Sequence, residues 1–169
     1  MRRVFAVLLA VMTVCLMAGC GTEVELDVPR FNRISRAEVE KMLGEPVEEM
    51  EIDWWKGPMS GLNYEYEDTQ LGIVLDKNGD RVISMTVWPG ERIPVEGDDW
   101  NKILSPWNIR IARDTEIEDS SDGAYAIRNG INGGIDGLLI FTKEDGQGGC
   151  YLERLSLSFD SEFQKGRGE

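Results

Sequence analysis

The sequence predicts an α+β fold: a short helix packed on an antiparallel β-meander, followed by a second unit built in the same order. Three observations carry this expectation. Ser35 and Glu38 stand at capping-box spacing, with Ile34 and Val39 at the two staple positions. Alternating apolar runs follow, joined at Asp76-Lys77-Asn78-Gly79-Asp80, where Asn-Gly between apolar runs is a strong hairpin signal. The order, helix then strands, recurs after residue 95, so the two small α+β units are either distinct or a duplication of one.

At the N-terminus, Arg2 and Arg3 precede an apolar run from Val4 to Met17, broken only by Thr13, and the small residues Ala18 and Gly19 precede Cys20. This is the three-part layout of a secretory signal, and it is shorter than the about 20 apolar residues of a transmembrane helix. Met17-Ala18-Gly19-Cys20 resembles a bacterial lipobox. The resemblance implies cleavage before Cys20 and a thioether-linked diacylglyceryl group on its thiol, a lasting membrane tether. Residues 1–19 then form a lipoprotein signal peptide and 20–33 a tether. Residues 34–94 form the first unit, 95–163 the second and 164–169 a disordered tail.

In the first unit, a helix from Arg36 to Leu43 places Val39, Met42 and Leu43 on one face, and Gly44 with Pro46 stops it. Leu62, Tyr64 and Tyr66 alternate with polar residues, Gly72 to Leu75 is a short apolar run, and Val82 to Trp88 alternates again. Pro89 to Gly97 connects the units. In the second, Asp98 or Asp99 caps a short helix presenting Trp100, Ile103 and Leu104, which Pro106 ends. Trp107, Ile109 and Ile111 alternate as in a strand. Tyr125 to Arg128, Gly137 to Thr142 and Tyr151 to Phe159 read as three more strands, with a glycine-rich turn at Glu144 to Gly149.

Composition restricts function. The 169 residues carry a net charge of −13 from 18 basic and 31 acidic side chains, and loss of Arg2 and Arg3 with the signal leaves the rest more acidic still. Such a chain lacks the basic patch that nucleic acid demands, and it does not adsorb electrostatically to anionic lipid. There is no histidine, which removes the commonest general base and the commonest transition-metal ligand. With Cys15 in the signal and Cys20 lipidated, Cys150 has no intrachain partner and is expected to pack as a small hydrophobe. No catalytic motif and no cofactor motif is present, so a non-enzymatic protein is expected.

Several stretches could carry chemistry. Asp76, Asn78 and Asp80 have the spacing that opens a calcium loop, but Gly79 precedes the third ligand and Val87 stands where the bidentate glutamate belongs, which favours a hairpin turn. Asp114, Glu116, Glu118, Asp119 and Asp122 crowd five carboxylates into a short span, a candidate site for a hard divalent cation or else a solvated acidic loop. Gly130, Gly133, Gly134 and Gly137 lead into an apolar strand, not into the Lys-Ser/Thr of a phosphate loop, and so read as turns. Trp54 and Trp55 are adjacent and in an extended segment point to opposite faces, leaving Trp55 a candidate partner contact together with Trp88.

The stretch Ile34-Ser35-Arg36-Ala37-Glu38-Val39, then Leu43-Gly44-Glu45-Pro46 and Tyr64-Glu65-Tyr66 before a hairpin, resembles the BamE/SmpA-like lipoproteins. The resemblance covers about residues 34–88 and implies helices against an antiparallel sheet that binds protein partners at the cell envelope. A tandem of such units resembles secreted proteinaceous enzyme inhibitors. The expectation is a lipid-anchored extracytoplasmic lipoprotein that mediates protein–protein interaction or assembly. The alternatives are a sensory module for cell-wall material or a divalent cation, and an inhibitor or immunity-type protein. Cys20→Ala is expected to abolish incorporation of labelled palmitate and to move the chain from the membrane pellet to the soluble fraction; a variant that still sediments with membranes would overturn the lipid anchor.

Overall fold

The computed structural model describes residues 24–53, 57–120 and 123–161. Among the described residues nine strands run in chain order: β1 (Glu48–Ile52), β2 (Met59–Tyr66), β3 (Thr69–Leu75), β4 (Val82–Trp88), β5 (Ile93–Pro94), β6 (Ile117–Ser120), β7 (Ala124–Ile127), β8 (Gly137–Glu144) and β9 (Cys150–Ser158). They form one antiparallel sheet in the order β1-β2-β3-β4-β9-β8-β7-β6, with β5 pairing β9 beyond the end of β4. The helices are α1 (Arg36–Leu43) and α2 (Trp100–Ile103), supplemented by 3-10 turns at Val28–Phe31, Ser105–Trp107 and Asn132–Gly134.

The expected α+β class is therefore corrected. The described residues are mostly antiparallel sheet, 43% strand against 17% helical, and not a helix packed on a meander or two such units side by side. The reason is the seam between β4 and β9. Ser84, Met85, Thr86 and Val87 pair with Ser158, Leu157, Ser156 and Leu155, so strands from both halves share one hydrogen-bonded ladder. Three strands were not expected from the sequence: the two-residue β5, which lies in the stretch read as a connector, and the edge strands β1 and β6. β1 reads Glu-Glu-Met-Glu-Ile and β6 reads Ile-Glu-Asp-Ser, and both are edge strands whose charges mask the apolar alternation of buried ones. The strand expected at Trp107, Ile109 and Ile111 is absent. Pro106 lies in a 3-10 turn, Asn108 takes a left-handed conformation at φ 54°, and only Ile111 bridges, to Ile131. All three side chains are buried all the same.

The main core lies on one face of the sheet, and a small second cluster of Met59 and Ile83 with Val74 is separate from it. Leu62, Ile73, Met85, Leu157, Leu138 and Ile127 stand side by side across six strands, and Tyr64, Leu71, Val87, Leu155, Ile140 and Tyr125 form the next row. Every member of the first row is at most 1% exposed. Val28, Phe31, Val39, Trp100, Leu104 and Trp107 join the same cluster from the helices and turns, so burial begins well before α1, with Leu26. Burying such side chains contributes about 1.5–3 kcal/mol each before chain entropy is counted.

α1 forms where the sequence places it, and its start is pinned twice. Ser35 accepts the Glu38 N–H, and Glu38 accepts the Ser35 N–H at 2.8 Å. The Arg36 N–H donates to the Asp80 carbonyl at 3.0 Å, and the Val82 N–H donates to the Ile34 carbonyl at 3.0 Å, which docks the helix start on the β3–β4 hairpin. That hairpin consumes the carboxylate of the supposed calcium loop: Asp76 Oδ1 accepts the N–H groups of Asn78 and Asp80 at 3.2 and 2.9 Å. At the far end of the sheet, Asp145 Oδ1 accepts the Gln147 and Gly149 N–H groups at 2.7 and 3.0 Å, which holds that carboxyl below the usual range. Cys150, expected to pack, is exposed just after this turn.

The Ser35 backbone N–H, and then its hydroxyl, hold the Glu38 carboxyl below the ordinary glutamate value. A depressed carboxyl stabilises the fold above its unfolded pKa and loses that contribution as the pH falls through the folded one. Ser35→Ala is expected to lower stability by about 1 kcal/mol at neutral pH, with the deficit narrowing in acid, read by chemical denaturation at several pH values. A deficit constant down to acid would show that Glu38 takes no part in the cap.

Candidate functional site

The second face of the sheet is built by the same strands, one residue out of phase with the core. Asn63, Gly72, Thr86, Ser156, Leu139 and Ala126 stand side by side from β2 to β7, extended by Glu48 on β1 and Glu118 on β6. Gly61, Val74, Ser84, Ser158 and Gly137 form a parallel row. These rows are open in part: Asn63, Gly72, Val74, Thr86, Leu139 and Ala126 are half-buried and Gln70 is exposed, whereas Gly61, Ser84, Ser156, Ser158 and Gly137 are closed. The central floor is smooth because its hydroxyls turn into the backbone. Ser84 Oγ donates to the Leu157 carbonyl at 2.7 Å, and Ser158 Oγ donates to the Asp160 carbonyl at 2.6 Å.

Larger side chains rise at one end of this floor. Glu65, Gln70 and Trp88 are cross-strand neighbours on β2, β3 and β4, beside the row Glu48, Asn63 and Gly72. Gly72 leaves its lattice position empty, and the indole of Trp88 fills it: a Cβ at residue 72 would meet the ring at 3.1 and 3.2 Å. The ring thus lies across β3, 36% exposed. Beside it opens a groove of about 300 Å³, lined by Val47, Glu48, Asn63, Tyr64, Glu65, Gln70, Leu71 and Trp88. Asn63 Nδ2 donates to Glu48 Oε2 at 3.0 Å, which fixes both side chains. Across the seam, the Arg154 guanidinium stacks over the Phe141 ring at 4.0 Å and the Arg92 guanidinium over the Tyr151 ring at 5.1 Å, within range of cation–π attraction.

Of the residues singled out from the sequence, Trp88 and Glu118 fall on this face, at its two ends. Cys20, Trp55 and Asp122 lie outside the described residues. Asp114, Glu116, Glu118 and Asp119 are exposed. β6 sends Glu118 and Asp119 to opposite faces, Glu118 pairs with Arg128 at 3.3 Å, and among the described residues no three acidic or cysteine side chains converge to hold a metal. Gly72, Asn63, Gln70, Phe141 and Arg154 were not singled out. Their only signal is position, each standing out of phase with a core residue of its own strand.

Buried polar groups sit on the core side. The Tyr64 hydroxyl and Trp107 Nε1 have no hydrogen-bond partner, and burial, followed by the charge of Glu40, pushes the Tyr64 phenol up. Near it, Arg36 bridges Glu40 at 2.7 Å and Glu49 at 2.8 Å, tying α1 to β1 and raising the guanidinium pKa further. The Arg36 ion pairs brace the helix against β1.

Among the described residues no helix is long and apolar enough to cross a membrane. Comparison with protein-family models, with curated proteins and with solved structures finds no match to the chain.

Gly72→Val is expected to cost about 1–3 kcal/mol by displacing the indole, and much less in a Trp88→Ala background, as a double-mutant cycle of unfolding free energies would read. Equal costs in both backgrounds would show that the ring does not rest on residue 72.

Proposed function

We propose that this chain is a membrane-anchored, extracytoplasmic lipoprotein without enzymatic activity, which docks a protein partner at the cell envelope on the open face of its sheet. The observation that carries the reading is the end of that face around Trp88: Glu65, Gln70 and Trp88 are exposed beside the half-buried Asn63, Gly72 and Thr86, while Ser84, Ser156 and Ser158 at the centre are closed. An ordinary antiparallel sheet turns such a face to water with lysines, glutamates and threonines. An exposed indole among polar side chains has the anatomy of an interface anchor inside a polar rim. Lipid on Cys20 would hold the protein at the surface while its net charge of −13 keeps the body off anionic headgroups. The absence of histidine, read with this flat face, supports binding over catalysis.

The test is crosslinked capture from native membranes with the full-length lipidated protein, beside an Ala126→Arg variant. Ala126 is half-buried on β7, beside the edge strand β6, on the same face and remote from the groove. A stoichiometric envelope protein that the wild type captures and Ala126→Arg loses at least tenfold, with an unchanged unfolding midpoint, would support docking on the sheet. A partner captured equally by both would overturn it.

A further inference from the structure

We propose that the groove beside Trp88 seats a lysine or arginine side chain, so that the partner docked on this face is a basic protein anchored there by a cation. This deepens the reading of the open sheet as a docking surface and rests on it. The lattice of the sheet fixes what the groove offers. One row sets a carboxylate, an amide and an indole on three successive strands, Glu65, Gln70 and Trp88, and the next row adds the Glu48 carboxylate held by Asn63. Among the described residues no lysine or arginine pairs with Glu48 or Glu65, whereas Glu49, on the opposite face of the same edge strand, is taken by Arg36. The groove is therefore an uncompensated negative site in a chain already at −13.

The indole supplies the second half of the recognition. Gly72 seats the ring across β3, the indole lines the groove, and tryptophan is the best of the side chains at attracting a cation through its ring face. A guanidinium or ammonium entering the groove meets two carboxylates and this ring together, while amide carbonyls of Asn63 and Gln70 can accept its remaining N–H groups. The cavity of about 300 Å³ accommodates one long side chain and not a folded loop. A neutral sugar could stack on the same ring, but it would leave both carboxylates without a counter-charge. The overall charge acts at longer range, speeding the encounter with a basic surface and disfavouring a second copy of this chain.

The experiment uses the full-length protein in nanodiscs and three probes: hexa-arginine, hexaglutamate and an N-acetylglucosamine hexamer. Hexa-arginine is expected to bind in a salt-sensitive manner. The Glu48→Gln/Glu65→Gln double variant should weaken it about tenfold and Trp88→Leu about fivefold. An Asp114→Asn/Glu116→Gln variant, with the same change in net charge at exposed positions elsewhere, should leave it unchanged. The inference is overturned if the two double variants weaken hexa-arginine equally, or if the sugar hexamer binds through Trp88 and hexa-arginine does not. The envelope partner separates this inference from the docking reading. Capture lost in Ala126→Arg but kept in the groove variants retains the docking face and overturns the cation anchor, whereas capture kept in all of them overturns both. Unfolding midpoints identify any variant that fails to fold, and Glu65→Gln alone, at an exposed position, then serves in its place.

Discussion

Everything else in this molecule depends on the antiparallel pairing of β4 with β9. These central strands are far apart in sequence: the Ser84 hydroxyl that bonds across the seam reaches a carbonyl 73 residues away. The pairing does two things at once because successive residues of a strand face opposite ways. Met85, Val87, Leu155 and Leu157 go inward and close the centre of the core, while Ser84, Thr86, Ser156 and Ser158 go to the second face, where Thr86 is half-buried and the serines are closed. A slip of one residue would exchange the two sets, sending four apolar side chains to the second face and four hydroxyl residues into the core. Core and candidate site are thus two faces of one register, fixed by the same ladder.

How much of this was legible in the sequence follows from the range of each signal. α1 was legible to the residue because a capping box is local: Ser35 and Glu38 satisfy each other within one turn. The β3–β4 hairpin was legible for the same reason, through Asn78-Gly79 and the Asp76 carboxylate. The edge strands were not, since Glu48, Glu49 and Glu51 mark β1 as loop by composition although backbone pairing with β2 makes it a strand. Nor was the class, because the seam is a long-range pairing that no local pattern announces. The alternation at Trp107, Ile109 and Ile111 reported burial correctly and conformation wrongly, for a left-handed Asn108 can deliver buried side chains without any ladder.

The face was legible only in part. An exposed Trp88 is a signal by residue type, whereas the Gly72 that seats it reads in isolation as a weak point of an apolar strand. Its role appears only when β3 and β4 are set in register. The same holds for the charges: a net −13 was visible at once, but its division between carboxylates taken up by turns and helices, such as Asp76, Asp145 and Glu49, and those left at the groove required the fold. The Arg154 and Arg92 guanidinia stacked on Phe141 and Tyr151 are spent in the same way, on neighbours rather than on solvent.

The acidic edges have a consequence for growth. β1 and β6 are the two free ends of the sheet, and each would offer unpaired backbone groups to another chain. Glu48, Glu49 and Glu51 on one, and Glu118 and Asp119 on the other, would be forced against their own kind if copies joined end to end. The sheet is thereby a closed set of strands in a chemical sense although it is open in a geometric one. Crowded copies of this chain repel at the edges where open sheets otherwise polymerise.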